Sequence, residues 1–254
     1  MPSPGLLSKL YRSQSTCPAD DERSGDLTTP EPRTDDRVIA YVDGFNLYFG
    51  MRSQRLQHLY WLDISAVVRR LLERREVLVA TKYFTSRVSG PADKVRRQNQ
   101  YLDALQALPA FQMVFGVFQT HDRRCGTCGS VHQEHNEKQT DVNIAVALLS
   151  DAHRDLFDTA LLLTADADLV PAVVAVRQLF PQKRIIAMFP PGRGSIRLGQ
   201  EVHSKRRIRQ WVLEACQLPD EVAGLDEFPR RRPAEWSLPP DDPRTQRESR
   251  ETPT

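Results

Sequence analysis

Four aspartates, placed where apolar runs end or begin, carry the main chemical signal of this sequence. Asp43 directly follows the run Val-Ile-Ala-Tyr-Val, and Asp166 and Asp168 follow the run Ala-Leu-Leu-Leu-Thr. Asp141 begins the apolar stretch Asp-Val-Asn-Ile-Ala-Val-Ala-Leu-Leu. In open α/β sheets the strand ends and the starts of the following helices meet at one edge, so we expect the four carboxylates to converge there.

Carboxylates gathered at one edge repel one another, and a hard divalent cation such as Mg²⁺ or Mn²⁺ relieves that repulsion. Such a site predicts phosphate chemistry, because the metal polarises phosphoryl oxygens and lowers the pKa of a bound water. Each acid also has a local structural alternative. Asp141 and Asp168 can be helix N-caps, and Asp43 with Gly44 can form a turn. The convergence of all four favours the metal site.

Short apolar runs that alternate with amphipathic stretches predict the elements that position these acids. Asp63 is suited to cap the first helix, and Pro91 precedes the second. Right-handed crossovers then give a three-layer α/β/α sandwich with a mainly parallel sheet. The predicted strands are Val38–Val42, Val77–Phe84, Phe111–Phe118, Thr159–Thr164 and Arg184–Phe189, with a last strand near Arg207–Val212. The predicted helices are Ile64–Glu73, Lys94–Leu108, Thr140–Ala152, Leu169–Leu179 and Ile196–His203.

Three segments in order resemble the motifs of the NYN domain family. They are Tyr-Val-Asp-Gly-Phe-Asn-Leu-Tyr from Tyr41, Glu-Lys-Gln-Thr-Asp-Val-Asn-Ile-Ala from Glu137, and Thr-Ala-Asp-Ala-Asp-Leu-Val-Pro from Thr164. The resemblance covers about residues 38–212. It implies a PIN-like fold with an acidic metal site, and an endoribonuclease that hydrolyses RNA phosphodiesters with Mg²⁺ or Mn²⁺.

The resemblance also implies roles for single residues. Asp43, Asp141, Asp166 and Asp168 match the acidic metal-binding positions of the family. Asn46 matches the polar residue of the first motif, where it would position a phosphate or a water; the alternative is an N-cap of the following helix.

Two further positions near these motifs bear on the expected site. Lys138 lies one helical turn before Asp141, where it could neutralise a phosphate or belong to a solvated first turn. The third motif departs from the common family pattern, because Thr164 and Ala165 stand where Ser and Gly are frequent. Ala165 is less free than glycine to adopt positive φ, which bears on the geometry of this loop.

An insert at about residues 119–136 concentrates potential zinc ligands. Cys125 and Cys128 form a C-x-x-C pair with knuckle spacing, and two of three nearby histidines could complete a tetrahedral Zn²⁺ site. We prefer His132 and His135 to His121, and a metal-free loop is the alternative. A four-ligand zinc would fold the loop without taking part in chemistry. Arg123 and Arg124 beside the pair are expected to meet the RNA backbone.

Charge and proline content divide the chain into three parts. Residues 1–36 and 219–254 each carry a net charge of −3 and together hold 12 of the 18 prolines. The residues between them carry 25 basic and 17 acidic groups, a net +8 that suits a polyanion. We therefore predict disordered tails at 1–36 and 217–254 around one domain at 37–216.

Other sequence features bear on compartment and partners. No apolar run approaches the roughly 20 residues that span a bilayer, and no signal peptide is visible, so we expect no membrane association. Four cysteines without a disulfide framework favour the reducing cytoplasm. RNA is the expected partner, whereas a protein partner or a homo-oligomer cannot be read from the sequence.

Two alternatives to the nuclease differ from it in class. A domain that binds RNA or protein without turnover has no need of four acids, which argues against it. A phosphatase-like hydrolase with Asp43 as nucleophile is disfavoured, because Phe45 stands where the common phosphatase motif has a second aspartate.

Overall fold

The computed structural model describes residues 35–237 except 125, 127 and 227, and only the backbone of 118–124 and 131–138. Six of its strands form one parallel sheet in the order β3-β2-β1-β6-β7-β8, and two antiparallel pairs, β4-β5 and β9-β10, stand apart from that sheet. The strands are β1 (Asp36–Asp43), β2 (Glu76–Thr85), β3 (Phe111–Phe115), β4 (Val117–Arg124), β5 (Val131–Lys138), β6 (Thr159–Leu163), β7 (Arg184–Phe189), β8 (Ser204–Arg207), β9 (Glu221–Ala223) and β10 (Pro229–Arg231).

Helices cover both faces of the parallel sheet, so the predicted three-layer α/β/α class is confirmed. The helices are α1 (Gly44–Ser53), α2 (Ile64–Arg70), α3 (Ala92–Gln106), α4 (Thr140–His153), α5 (Val170–Leu179), α6 (Ile196–Glu201) and α7 (Gln210–Ala215). One core packs α1, α2, α3 and α7 on the sheet, and the other packs α4, α5 and α6.

Strand β1 lies at the centre because both its faces are apolar. Val38, Ala40 and Val42 enter one core, and Ile39 and Tyr41 enter the other, as the two-residue period of a strand requires. β1 pairs with β2 on one side and with β6 on the other. The strand order reverses between β1 and β6, which is the point where open α/β sheets form a crevice at the carboxyl ends of their strands.

Most predicted elements are found, and two predictions were wrong. β7 has the predicted bounds, and Asp63 caps α2 by accepting the backbone N–H of Ala66 at 2.8 Å. The predicted strand Phe111–Phe118 ends at Phe115, after which the chain leaves the sheet to enter β4. The predicted strand Arg207–Val212 is instead the end of β8 followed by α7. Val212 is buried in that helix.

The predicted C-terminal tail is also corrected in part. Residues 217–237 are not a featureless tail, because β9 and β10 pair and Trp236 packs on Tyr60 and Tyr101 at ring distances of 5.6 and 5.8 Å. The predicted tail residues 1–34 and 238–254 lie outside the described residues. Within the described part of the chain, no helix is long and apolar enough to cross a membrane.

Candidate active site

Asp43 occupies the carboxyl end of β1, as predicted, and its side chain is fixed by two donors. It is only 4% exposed. Its Oδ1 accepts the backbone N–H of Asn46 at 2.9 Å, which makes Asp43 the N-cap of α1. Its Oδ2 accepts the hydroxyl of Thr164 at 3.0 Å, from the neighbouring strand end. These two bonds fix the orientation of the carboxylate at the strand end.

Asn46 and Thr164 tie the loops after β1 and β6 together. The side-chain oxygen of Asn46 accepts the backbone N–H of Ala165 at 3.2 Å. The Thr164 hydroxyl, besides donating to Asp43, accepts the backbone N–H of Asp166 at 3.1 Å. Asn46 is therefore not the N-cap of α1, and the alternative considered from the sequence was wrong. Its amide instead fixes the loop that carries the second acidic pair.

Asp166 and Asp168 sit on a short 3₁₀ turn, Ala167–Leu169, that follows β6. Asp166 caps this turn by accepting the backbone N–H of Asp168 at 2.9 Å. Asp168 lies inside the turn, so the N-cap alternative for it was also wrong. Asp166 is half-buried and Asp168 is exposed, and neither forms an ion pair with another described residue. Both acids thus lie at the carboxyl end of β6, the edge where ligands reach the sheet.

Asp141 lies in the first turn of α4, which begins after Gln139 in the left-handed backbone region at φ 77°. Asp141 is therefore not the helix N-cap either. One turn further, Ile144 packs in the same core as Leu169. α4 consequently lies against β1 and the Ala167–Leu169 turn. This packing puts the start of α4 beside the edge that holds the other acids.

The donor chemistry of this edge fits a hard cation held partly by water. Within the described residues, no group of three or more histidine, cysteine, aspartate or glutamate side chains is arranged to hold a metal ion. Mg²⁺, however, keeps several waters and is usually held by one or two carboxylates together with substrate phosphates. Asp43 and Asp166, which are joined through Thr164, are two carboxylates of this kind.

The family is decided by a match that covers most of the domain. A family model, described as the NYN domain, matches residues 37–197. The chain belongs to the NYN domain family. The matched range contains all four aspartates, and the parallel sheet flanked by helices is consistent with the PIN-like nuclease fold of the family.

Two individual proteins are also similar to this NYN chain. The 6-hydroxy-3-succinoylpyridine 3-monooxygenase of Pseudomonas putida is 27% identical over 244 residues, which covers 79% of this chain and 75% of that protein. A crystal structure of a protein of unknown function from Vibrio parahaemolyticus aligns with a TM-score of 0.48 and 16% identity, covering 71% of this chain and 97% of that one.

The Cys/His insert of this NYN domain is an antiparallel hairpin formed by β4 and β5. Arg123 pairs with His132 in the backbone register. Cys128, in the connection between the strands, is exposed and lies with its Sγ 3.0 Å from the Ser130 hydroxyl. Cys125 and the side chains of Arg123, Arg124, His132, His135 and Lys138 lie outside the described residues. One zinc per chain stays a prediction, which metal analysis of protein purified without chelator can check.

A cavity of about 730 Å³ adjoins the acidic edge of the NYN domain, and the sequence did not reveal it. Gly44 and Phe45, directly after Asp43, form part of its wall. Tyr83 of β2 lies between the cavity and Asp43: burial, and then the charge of Asp43, raise the pKa of its hydroxyl. The remaining wall comes from α1, α3 and Trp236, segments too distant in sequence for any local motif to join them.

Proposed function

We propose that this NYN domain is a metal-dependent endoribonuclease whose site is the acidic edge between β1 and β6. One observation carries the proposal: Thr164 bonds both Asp43 and the backbone of Asp166, and so joins two of the predicted acids at the sheet crevice. Hydrogen bonds from the Thr164 hydroxyl and from backbone N–H groups hold these acids in place. Asp168 and Asp141 lie on the neighbouring turn and helix start.

Asp43, Asp141, Asp166 and Asp168 would hold Mg²⁺ or Mn²⁺. When bound, the ion supplies Lewis-acid polarisation of the scissile phosphate and a more acidic bound water. The protein supplies fixed positions: the Asp43 carboxylate is held by Asn46 and Thr164 before any ligand arrives. Such preorganisation avoids the cost of reordering the site during reaction. Asn46 then acts by orienting the loop of Asp166, and its contact with a phosphate or water stays a prediction.

Charge supports RNA as the substrate. Residues 37–218 carry a net +8, whereas the segments before and after them are each acidic. Basic surface close to a site attracts the phosphate backbone and releases its counterions. Lys138, Arg123 and Arg124 on the β4–β5 hairpin are the substrate contacts that we propose, because the chain enters α4 and Asp141 directly from β5.

Similarity to the pyridine monooxygenase supports a second candidate, an enzyme that modifies a small heteroaromatic acid. The observation in its favour is the cavity beside Asp43, whose wall combines aromatic rings with Arg52, Lys94 and Arg97. Rings and cations of this kind suit a planar anion. The endoribonuclease is preferred because the second candidate gives no role to the four aspartates.

The direct test is incubation of the purified full chain with labelled single-stranded and structured RNA and with single-stranded DNA of the same sequence. We expect RNA cleavage in Mg²⁺ or Mn²⁺ that stops on chelation and resumes when the metal is restored. A parallel reaction with 6-hydroxy-3-succinoylpyridine, oxygen and an electron donor examines the second candidate. Ring oxidation without RNA cleavage would overturn the proposal, as would cleavage that persists undiminished in chelator.

A further inference from the structure

The cavity beside the acidic edge has the composition of a site for one unstacked nucleotide. Its volume of about 730 Å³ lies within the range of small-ligand sites in proteins. We propose that it holds one nucleotide of the RNA substrate, with the base among its aromatic rings and a phosphate at Arg52 and Lys94. The proposal rests on the proposed function and adds to it a binding site for one nucleotide of the RNA substrate.

Aromatic rings line the cavity in an almost continuous series. Tyr48 contacts Phe49 and Tyr60 at centroid distances of 5.3 and 5.2 Å. Tyr60 and Tyr101 each meet Trp236 edge to face. Proteins that bind single-stranded nucleic acid use such rings as stacking platforms, since every base has a π face. These rings leave between them an open cavity that a base could enter.

Cations line the same cavity without being neutralised by the described residues. Arg52 and Lys94 are exposed and form no ion pair with any described residue. Arg97, in contrast, is bound by Glu235 at 2.6 Å. The two uncompensated cations lie at the ends of α1 and α3 that border the cavity. Arg52 and Lys94 provide positive charge for a phosphate. The ion pair between Arg97 and Glu235 holds the neighbouring Trp236 in the cavity wall.

The hydroxyl of Tyr60 is a polar group on the wall of the cavity. Tyr60 is 9% exposed, and its hydroxyl has no partner with full hydrogen-bond geometry among the described residues, although Tyr48 lies close to it. Burial, and then the nearby Tyr48, raise the pKa of Tyr60 to about 12, so this hydroxyl stays protonated and can donate. An acceptor atom of a ligand in the cavity would offer this hydroxyl a hydrogen bond of better geometry.

The walls are held in position before any ligand binds. The Tyr101 hydroxyl donates to the carbonyl of Leu62 at 2.9 Å. Gln98 of α3 donates to the carbonyl of Ser86 at 3.0 Å and accepts the backbone N–H of Val88 at 2.8 Å, which ties α3 to the loop after β2. A preformed wall lowers the ordering cost of binding.

Two residues of the cavity wall, Gly44 and Phe45, directly follow Asp43 in the chain. Gly44 follows Asp43 and packs so tightly on Tyr83 that an added Cβ would lie 2.6 Å from the Tyr83 hydroxyl. A base in the cavity would therefore be separated from Asp43 by little more than the Tyr83 ring. A nucleotide held there places its neighbouring phosphodiester at the edge between β1 and β6.

Calorimetric titration of the full chain with 5′-adenylate, 5′-uridylate and a short single-stranded oligoribonucleotide tests the site. Chelator is present throughout, so that binding is read apart from cleavage. We expect Trp236→Leu and Arg52→Gln each to weaken binding about tenfold, because they remove a stacking platform and a phosphate charge. Tyr60→Phe should weaken it about fivefold. Arg154→Gln and Trp211→Leu, which alter exposed side chains outside the cavity, are the matched controls and should bind as the wild type does.

The possible outcomes distinguish failure of this nucleotide site from failure of the proposed nuclease function. Nucleotide binding that all three cavity variants leave unchanged would overturn the inference, even if RNA cleavage needs metal. Nicotinate is titrated in parallel as a small heteroaromatic acid, and its binding without binding of any nucleotide would also overturn the inference. Nucleotide binding that depends on Arg52 and Trp236, in a protein that cleaves no RNA, would support the site and count against the nuclease. Arg52 is exposed, so its variant tests the site even if Trp236→Leu loosens the fold.

Discussion

The two ends of strands β1 and β6 use the same kinds of side chain for different purposes. At the amino end, Asp158 accepts the backbone N–H and the guanidinium of Arg37 at 2.9–3.0 Å. Lys183 is also paired there, with Asp155. The Thr159 hydroxyl donates to Asp36 at 2.9 Å. Acids at this end are matched by cations, as in a structural ion-pair network.

At the carboxyl end, Asp43 and Asp166 accept hydrogen bonds from neutral donors. A threonine hydroxyl and a backbone N–H hold Asp43, and Asp166 and Asp168 form no ion pair with any described residue. The Asp–Thr pair recurs, so the geometry alone does not distinguish a site. The position of the acids does, because Asp166 and Asp168 form no ion pair with any described residue and lie at the crevice, where carboxylates are suited to a cation. The following predictions test whether this difference separates function from stability.

The largest effect is expected from Asp43→Asn and Asp166→Asn. Each removes a ligand charge and keeps the side-chain shape, so RNA cleavage should fall by several orders of magnitude while the fold remains. Asp63→Asn is the matched control: Asp63 caps α2 by the same kind of bond that Asp43 makes at α1. Asparagine is as good an N-cap, so neither cap should be lost. Cleavage near the wild-type rate in both site variants would contradict the assignment.

A smaller effect on turnover is expected from Thr164→Val. It removes the hydroxyl that bonds Asp43 and the backbone of Asp166, so we expect about tenfold slower cleavage and about 1 kcal/mol lower stability. Thr159→Val at the other end of β6 removes the equivalent bond to Asp36. It should cost similar stability and leave cleavage unchanged, as measured by urea unfolding and a cleavage assay. Equal loss of activity in both variants would show that the two ends do not differ in function.

Truncation of the chain tests how much residues 221–237 stabilise the fold, independently of the two ends of strands β1 and β6. A chain that ends after Ser237 should melt at the wild-type temperature. A chain that ends after Asp220 loses Trp236 and the Arg97–Glu235 pair, and should melt roughly 5–10 °C lower. Calorimetry distinguishes the two. Identical melting of both truncated chains would restore the sequence-based assignment of residues 221–237 to a tail.

The smallest effect concerns the pH dependence of stability, through Asp158 at the amino end of β1 and β6. Hydrogen bonds from Arg37 lower the pKa of Asp158 to about 2 from its usual 3.8. A lowered pKa stabilises the fold above pH 3.8, and that contribution is lost as the pH falls from there toward 2. Asp158→Asn should thus reduce stability by about 2 kcal/mol at pH 7 and by progressively less toward pH 2, without slowing cleavage. A constant difference over that range would show that Asp158 is not held in this way.

The sequence was informative where a signal is local. The apolar runs before Asp43 and Asp166 predicted buried central strands, and the strand-end positions of those acids followed directly. The prediction of a strand at Arg207–Val212 was wrong because a short run that alternates basic and apolar residues fits an edge strand as well as a helix. Tertiary packing of Val212 and Leu213 decided in favour of α7.

Non-local features could not be predicted. The Asp43–Thr164 bond joins residues 121 positions apart, so periodicity gives no sign of it. The cavity likewise needs Trp236 to return to α1 and α3, and a lone tryptophan in a polar, proline-containing segment does not show where it will pack. The loop after β6 tolerates Ala165, where relatives often have glycine, because the positive φ that would require glycine is not found there.

The central claim is that the carboxyl ends of β1 and β6 hold a metal ion and that their amino ends do not. Measurement of metal binding by variants at each end tests it most directly. Mn²⁺ is titrated into the wild type, Asp166→Asn and Asp158→Asn, and free Mn²⁺ is followed by electron paramagnetic resonance. The account predicts that the wild type and Asp158→Asn bind alike and that Asp166→Asn binds far more weakly, since only the carboxyl end holds the ion. Equal binding by all three proteins, or weaker binding by Asp158→Asn alone, would contradict it.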